Sequence, residues 1–185
     1  MKKILLTIAA TGITAGAFAQ GIVNFENNAG AQYVTLGTAN GAQAAAGSYQ
    51  VALLWFNGAS YQQIGAVYQT SAAGGDGPGY FFGEAVTVPT FGATGTFEVE
   101  GWTGSFGSYA AAVAGEPPTG AVGLSSSFVS AEGNLGTTPK GLAANITTGA
   151  GSWTGQLILV PVPEPSTIAL GGLGAAALLM FRRRK

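Results

Sequence analysis

The stretch Tyr49-Gln50-Val51-Ala52-Leu53-Leu54-Trp55-Phe56, closed by Asn57-Gly58, decides the fold of this chain. Read at the two-residue period of a strand, Tyr49, Val51, Leu53 and Trp55 share one face, and Gln50, Ala52, Leu54 and Phe56 share the other. Both faces are largely apolar, so the strand is expected inside a sheet rather than at its edge. Asn-Gly directly after an apolar run is a hairpin signal, and Tyr61 to Thr70 supplies the returning strand.

Working outward, Thr96 to Trp102 alternates, with Phe97 and Val99 on one face and Glu98, Glu100 and Trp102 on the other, the side expected to meet solvent. Further strands are expected at Ile22 to Glu26, Tyr33 to Gly37, Tyr80 to Val88, Gly123 to Ser130 and Trp153 to Val160. Runs rich in Val, Thr, Tyr, Phe and Trp, separated by turn residues, predict an all-β fold: one antiparallel β-sandwich or jelly-roll-like domain. The alanines of Ser108 to Ala114 favour a short helical piece. Gly74 to Gly79 and Glu116 to Gly120 read as loops, neither long enough to link two domains. No repeat of fixed period appears, which counts against β-helices and propellers.

Composition narrows the chemistry. Cysteine and histidine are absent, which excludes disulfides, thiolate or imidazole metal sites, cysteine nucleophiles and histidine acid–base catalysis. A body of about 140 residues buries enough apolar surface to fold without such staples. Between residues 20 and 160 seven acids stand against the single Lys140, and the remaining cations sit at the two ends. Nucleic acid is therefore not an expected partner, because phosphate binding needs basic side chains on the body.

At the front, Lys2 and Lys3 precede an apolar run from Ile4 to Phe18, and Ala17-Phe18-Ala19 supplies small residues at the two positions that signal peptidase reads. Residues 1–19 are thus expected to be a secretory signal peptide cut after Ala19. The run is short and interrupted by Thr11, Gly12, Thr14 and Gly16, which speaks against a retained membrane helix.

At the back, residues 161–185 read Pro-Val-Pro-Glu-Pro-Ser-Thr, then an apolar run from Ile168 to Phe181, then Arg182, Arg183, Arg184 and Lys185. Alternating prolines join neither a helix nor a central strand, and leave an extended, exposed peptide. The apolar run, with Ile168, Leu170, Leu173, Leu178, Leu179 and Phe181 along it, spans about 21 Å as a helix, short of a hydrocarbon core of about 30 Å. It is expected to hold the chain in a membrane only briefly. The basic cluster is expected to keep its end on the cytoplasmic side and leave the body outside.

From Val162 to Lys185 this arrangement resembles the PEP-CTERM sorting tails of Gram-negative bacteria, which the membrane enzyme exosortase recognises. Tails of this kind also go under the name of an ice-binding protein C-terminal domain, which by itself implies nothing about ice. The resemblance implies that Pro163, Glu164 and Pro165 form the recognition motif, that processing occurs near them, and that the body is moved toward the outer surface or extracellular matrix. The body is also loosely similar to exported proteins that carry such tails, through Phe97-Glu98-Val99-Glu100-Gly101-Trp102 and Leu157-Ile158-Leu159-Val160.

Within the body no catalytic set stands out. Glu98 and Glu100 lie about 6.5 to 7 Å apart as same-face neighbours, within the range of an inverting glycoside hydrolase, yet Glu-x-Glu on a solvent face is what solubility alone produces. Asp76 in its Gly-rich loop lacks the further acids of a calcium cage. Ser125-Ser126-Ser127 has no base to activate a nucleophile. Trp55, Trp102 and Trp153, with Tyr80, Phe81 and Phe82, are first of all core candidates, and Trp102 is the candidate glycan contact because it shares the face of the two acids. Asn145-Ile146-Thr147 fits a glycosylation sequon that is incidental beside a bacterial tail. The expectation is a non-enzymatic protein without cofactor or metal, associated with exopolysaccharide. A carbohydrate-binding module using exposed aromatics is the alternative, and a glycan hydrolase using acids alone comes third.

Overall fold

A computed structural model describes residues 20–27, 32–90, 92–115, 120–136, 141–149, 151–162, 171 and 173. The expected signal peptide, with Ala17 and Ala19, the motif Pro163-Glu164-Pro165 and the basic cluster from Arg182 to Lys185 lie outside the described residues. So does most of the apolar run, apart from Gly171 and Leu173.

Among the described residues the regular structure is mostly β. In order it forms β1 (Gly21–Glu26), β2 (Val34–Leu36), β3 (Tyr49–Phe56), β4 (Tyr61–Gln69), a 3₁₀ turn (Ala72–Gly74), β5 (Phe82–Val88), β6 (Thr94–Thr103) and α1 (Tyr109–Ala114). Then follow β7 (Ala121–Leu124), β8 (Phe128–Ala131), β9 (Gly133–Asn134), β10 (Ala144–Asn145) and β11 (Leu157–Pro161).

Two sheets result. The larger runs β2-β11-β7-β6-β3-β4, with β8 also paired to β6. The smaller runs β10-β1-β5, with β9 also on β1. β3 lies between β4 and β6, the central place that its two apolar faces call for. It meets β4 across the Asn57-Gly58 turn, where Gly58 takes a left-handed φ of 94° and the Asn57 side-chain oxygen accepts from the Ala59 and Ser60 amides.

One apolar core unites the sheets. Val23, Phe25, Val86 and Val88 from the smaller sheet join Val51, Leu53, Phe97, Val99, Leu157 and Leu159 from the larger, with Phe81 and Trp153 stacked among them. At one margin Gly65 in β4 has a φ of 69° and sits so close to Val86 of β5 that a Cβ there would press on the valine methyls.

Three expectations change. Gly123 to Ser130 was expected as one strand, but the chain breaks into β7 and β8, because the Ser125 hydroxyl accepts from the Val99 amide at 2.8 Å and donates to the Ser126 carbonyl at 2.9 Å. Antiparallel pairing was expected throughout, yet β10 runs parallel to β1 and β2 parallel to β11. Finally, the outward face of β6 is covered at one end rather than open to solvent.

Candidate functional site

On β6 the outward residues are Glu98, Glu100 and Trp102, which face Leu54, Ala52 and Gln50 of β3 across the ladder. On the other side Leu124 opposes Glu100 and Val122 opposes Trp102. α1 starts at Ser108, whose hydroxyl accepts from the Ala111 amide at 3.2 Å. The helix buries Ala112 against Ala52 and Trp102, and Val67, Phe106, Tyr109 and Val122 close the rim. This is a second, smaller core on the outer side of the larger sheet.

Trp102 is the centre of that core. Its exposure is 0 %, its indole N–H donates to the Phe106 carbonyl at 2.9 Å, and Tyr109 meets it edge-on at 6.3 Å. Strand alternation put Trp102 on the solvent side, and α1 removes it from solvent. A ring with no free face offers a sugar nothing to stack on, so Trp102 is corrected from glycan contact to core residue. Phe81 and Trp153 are likewise fully buried, in the main core.

The two acids do not converge on a cleft. Glu100 is 9 % exposed beneath this helical cover, and burial pushes its carboxyl up to about 7. Its proximity also raises the Tyr109 hydroxyl further, after burial itself. Glu98 is half-buried and stands near the Tyr61 hydroxyl instead. Among the described residues there is no Lys or Arg, and Asp76, Glu26 and Glu132 draw on N–H and O–H donors.

Asp76 shows how. Its two oxygens accept from the Ser71 amide at 2.6 Å, the Phe82 amide at 2.9 Å and the Tyr68 hydroxyl at 3.2 Å. The side chain organises its Gly-rich loop and is committed to protein donors. Among the described residues no group of three acids is placed to hold a metal ion. Glu132 follows the same logic: its carboxylate accepts from the Gly92 amide at 3.3 Å and fits because Gly21 and Gly95 lack a Cβ that would strike it. Burial raises Glu132, and the Gly92 amide partly offsets the rise.

Asn145 of the sequon donates to Glu26 at 2.6 Å, and its carbonyl accepts from the Thr147 amide and hydroxyl. Asn27, which sequence reading passed over, is fully buried and ties three segments: it donates to the Gln32 and Gly79 carbonyls and accepts from the Phe81 amide at 2.6 Å.

The open concavities lie elsewhere. A cleft of about 610 Å³ between the start of β3 and the loop after β6 is lined by Ser48, Gln50, Gln69, Ser105, Phe106 and the backbones of Gly47, Gly104 and Gly107, with no charged side chain. Gln50 donates to the Gly104 carbonyl at 2.8 Å and Gln69 to the Tyr49 carbonyl at 3.3 Å, which fixes both amides at the wall. Sequence reading missed this cleft because Gln and Ser at β ends have no spacing signature. Beside it, where β11 leaves the sheet, an apolar pocket of about 430 Å³ is lined by Leu36, Thr103, Ala121, Leu159 and Pro161.

β11 is the last strand among the described residues, and Val162 beyond it donates to the Gly120 carbonyl at 3.1 Å. The chain from Pro161 onward matches a family model described as a PEP-CTERM protein-sorting motif. This chain carries that sorting motif at residues 161–185. The motif implies export, a membrane-anchored precursor and an exosortase-type processing partner. Comparison with curated proteins and with solved structures returned no match. Among the described residues no helix is long and apolar enough to cross a membrane.

Proposed function

We propose that this chain is a non-enzymatic envelope protein, exported after signal peptidase removes residues 1–19. It is held transiently by the run Ile168 to Phe181 and delivered by an exosortase-type enzyme to the outer surface or extracellular matrix, in association with exopolysaccharide. The observation that carries the reading is the sorting motif at 161–185, which begins at the last residue of β11. Two further features support it. The core shared by the two sheets fits a single sandwich-like body that travels as one unit. Glu100 and Glu132 are buried apart from one another and Asp76 is bonded to backbone donors, which supports a non-catalytic role.

The test is the intact mass of the protein recovered from its native cells. The mature surface form is expected to lack both the first nineteen residues and the basic cluster, whereas a Glu164→Ala precursor is expected to keep its tail and stay with the membranes. A mature, surface-located species that still ends at Lys185 overturns the proposal.

A second reading, a carbohydrate-binding module, moves from Trp102 to the uncharged cleft around Gln50 and Gln69. Amides, hydroxyls and one aromatic ring without charge suit a neutral saccharide, and about 610 Å³ is within the usual size of a small-ligand site. Titration of neutral oligosaccharides into the protein checks it. Gln69→Ala is expected to weaken binding about ten-fold, the loss of one to two hydrogen bonds. Absence of heat with every oligosaccharide removes this reading.

A further inference from the structure

The folded body reaches the sorting motif without a spacer. Val160 and Pro161 pair with Val122 and Ala121 of β7, Leu159 accepts from the Gly37 amide at 2.8 Å, and Val162 donates to Gly120. Pro163, the first residue of the recognition motif, is the next residue in the chain. Five residues, 163–167, then separate the body from the apolar run at Ile168. Six steps of at most about 3.6 Å give a reach of roughly 20 Å. The headgroup layer takes up about 5 to 8 Å of that on each side of the hydrocarbon core.

The end of the body from which β11 emerges is therefore tethered within roughly 15 Å of the headgroups. The far end, where β6 begins, lies some 20 Å further away along the strands. A tether this short gives an effective concentration in the millimolar range, so a weak contact suffices to hold the near end down.

The near end is built for such a contact. Its apolar pocket is flanked by Leu36, 39 % exposed, and Val160, 45 % exposed, and its lining carries no ionisable side chain. Elsewhere the body is acidic, with seven acids between residues 20 and 160 against the single Lys140. An anionic lipid surface repels the acidic faces of such a body and is met at least cost by a face whose lining carries no carboxylate.

We propose that this end, with Leu36, Thr103, Ala121 and Pro161 around the pocket, rests on the phospholipid headgroup surface while the precursor is anchored, and so presents the adjacent motif at membrane level. The proposal rests on the reading that the run Ile168 to Phe181 enters a bilayer.

The chain contains no cysteine, so a single introduced one accepts a fluorophore uniquely. The full chain, labelled at Leu36→Cys, at Ala121→Cys or at Val129→Cys on the far end, is reconstituted into phosphatidylcholine–phosphatidylglycerol vesicles with or without a headgroup-attached quencher. Val129 is matched to Leu36 in exposure, at 40 %. Labels at 36 and 121 are expected to lose most of their fluorescence to the quencher, and the label at 129 to keep it. Protein that floats with the vesicles but is quenched equally at both ends, or at neither, overturns the docking alone; docking to a second copy or to the sorting enzyme would give the latter result. Protein that does not float with the vesicles overturns the membrane reading and the docking together.

Discussion

Trp102→Ala is expected to destabilise the body by about 3 to 5 kcal/mol, the usual range for truncating a fully buried large aromatic. The indole is the centre of the outer core: it fills the space between Ala52 of β3, Ala112 of α1 and Val122 of β7. Removing it leaves a cavity that α1 cannot collapse into, because β6 and β7 are fixed by their ladders. It also deprives the Phe106 carbonyl of its 2.9 Å donor. Urea unfolding of the two proteins measures the loss. Trp102→Phe keeps most of the volume and gives up the N–H, so its cost is expected near 1 kcal/mol. Hydrogen exchange should show the amides of α1 opening first in the alanine variant, since the main core lies on the other face of the sheet. A loss below about 1 kcal/mol for the alanine variant would mean that the outer core is not closed as described.

Much of the fold was legible because its signals are local. β3 declared itself by eight residues that are largely apolar on both faces, and it lies inside its sheet, between β4 and β6. The hairpin to β4 followed from Asn57-Gly58, and the inner face of β6 from Phe97 and Val99, both fully buried. What strand alternation cannot give is the cover on the outer face. The pattern Glu98, Glu100, Trp102 looks polar until α1 folds back over its end, and alanine content predicts the helix without saying where it packs. The parallel pairs were hidden for a related reason: β2 with β11, and β1 with β10, join segments more than a hundred residues apart, and no local pattern encodes them.

The tail is the opposite case. A linear motif read in an extended peptide needs no fold around it, so the sequence order of Pro-Glu-Pro, apolar run and basic cluster carried the whole signal, and the family match covers that segment. The cleft near Gln50 and Gln69 was invisible, because it is assembled from the start of β3, the end of β4 and the loop after β6. Asp76 stood in a Gly-rich loop with no partner legible in the sequence; a lone acid among glycines fits a solvated loop and a buried loop clasp alike, and only the donors around it distinguish the two.

Glu100 gives the second large effect, and its sign follows from burial without a cation. The carboxyl moves from its ordinary 4.5 to about 7 in the folded protein. Below the ordinary value both states carry the proton, and Glu100 leaves stability unchanged. Between that value and about 7 the unfolded chain has released its proton while the folded one holds it, so stability falls as pH rises, and above 7 the full penalty applies. At about 1.4 kcal/mol per pKa unit the ceiling is roughly 3 kcal/mol, and the water that still reaches the carboxyl edge lowers the expected figure to about 1 to 2 kcal/mol. Glu100→Gln removes the charge at nearly constant volume. The variant is therefore expected to equal the parent near pH 4 and to be about 1 to 2 kcal/mol more stable at pH 8.5. Glu132, also raised by burial, lends the same slope to both proteins and cancels in the difference. Urea unfolding across this range provides the measurement. A difference that does not grow with pH, or that grows toward acid, would place the Glu100 carboxyl in water and the helical cover elsewhere.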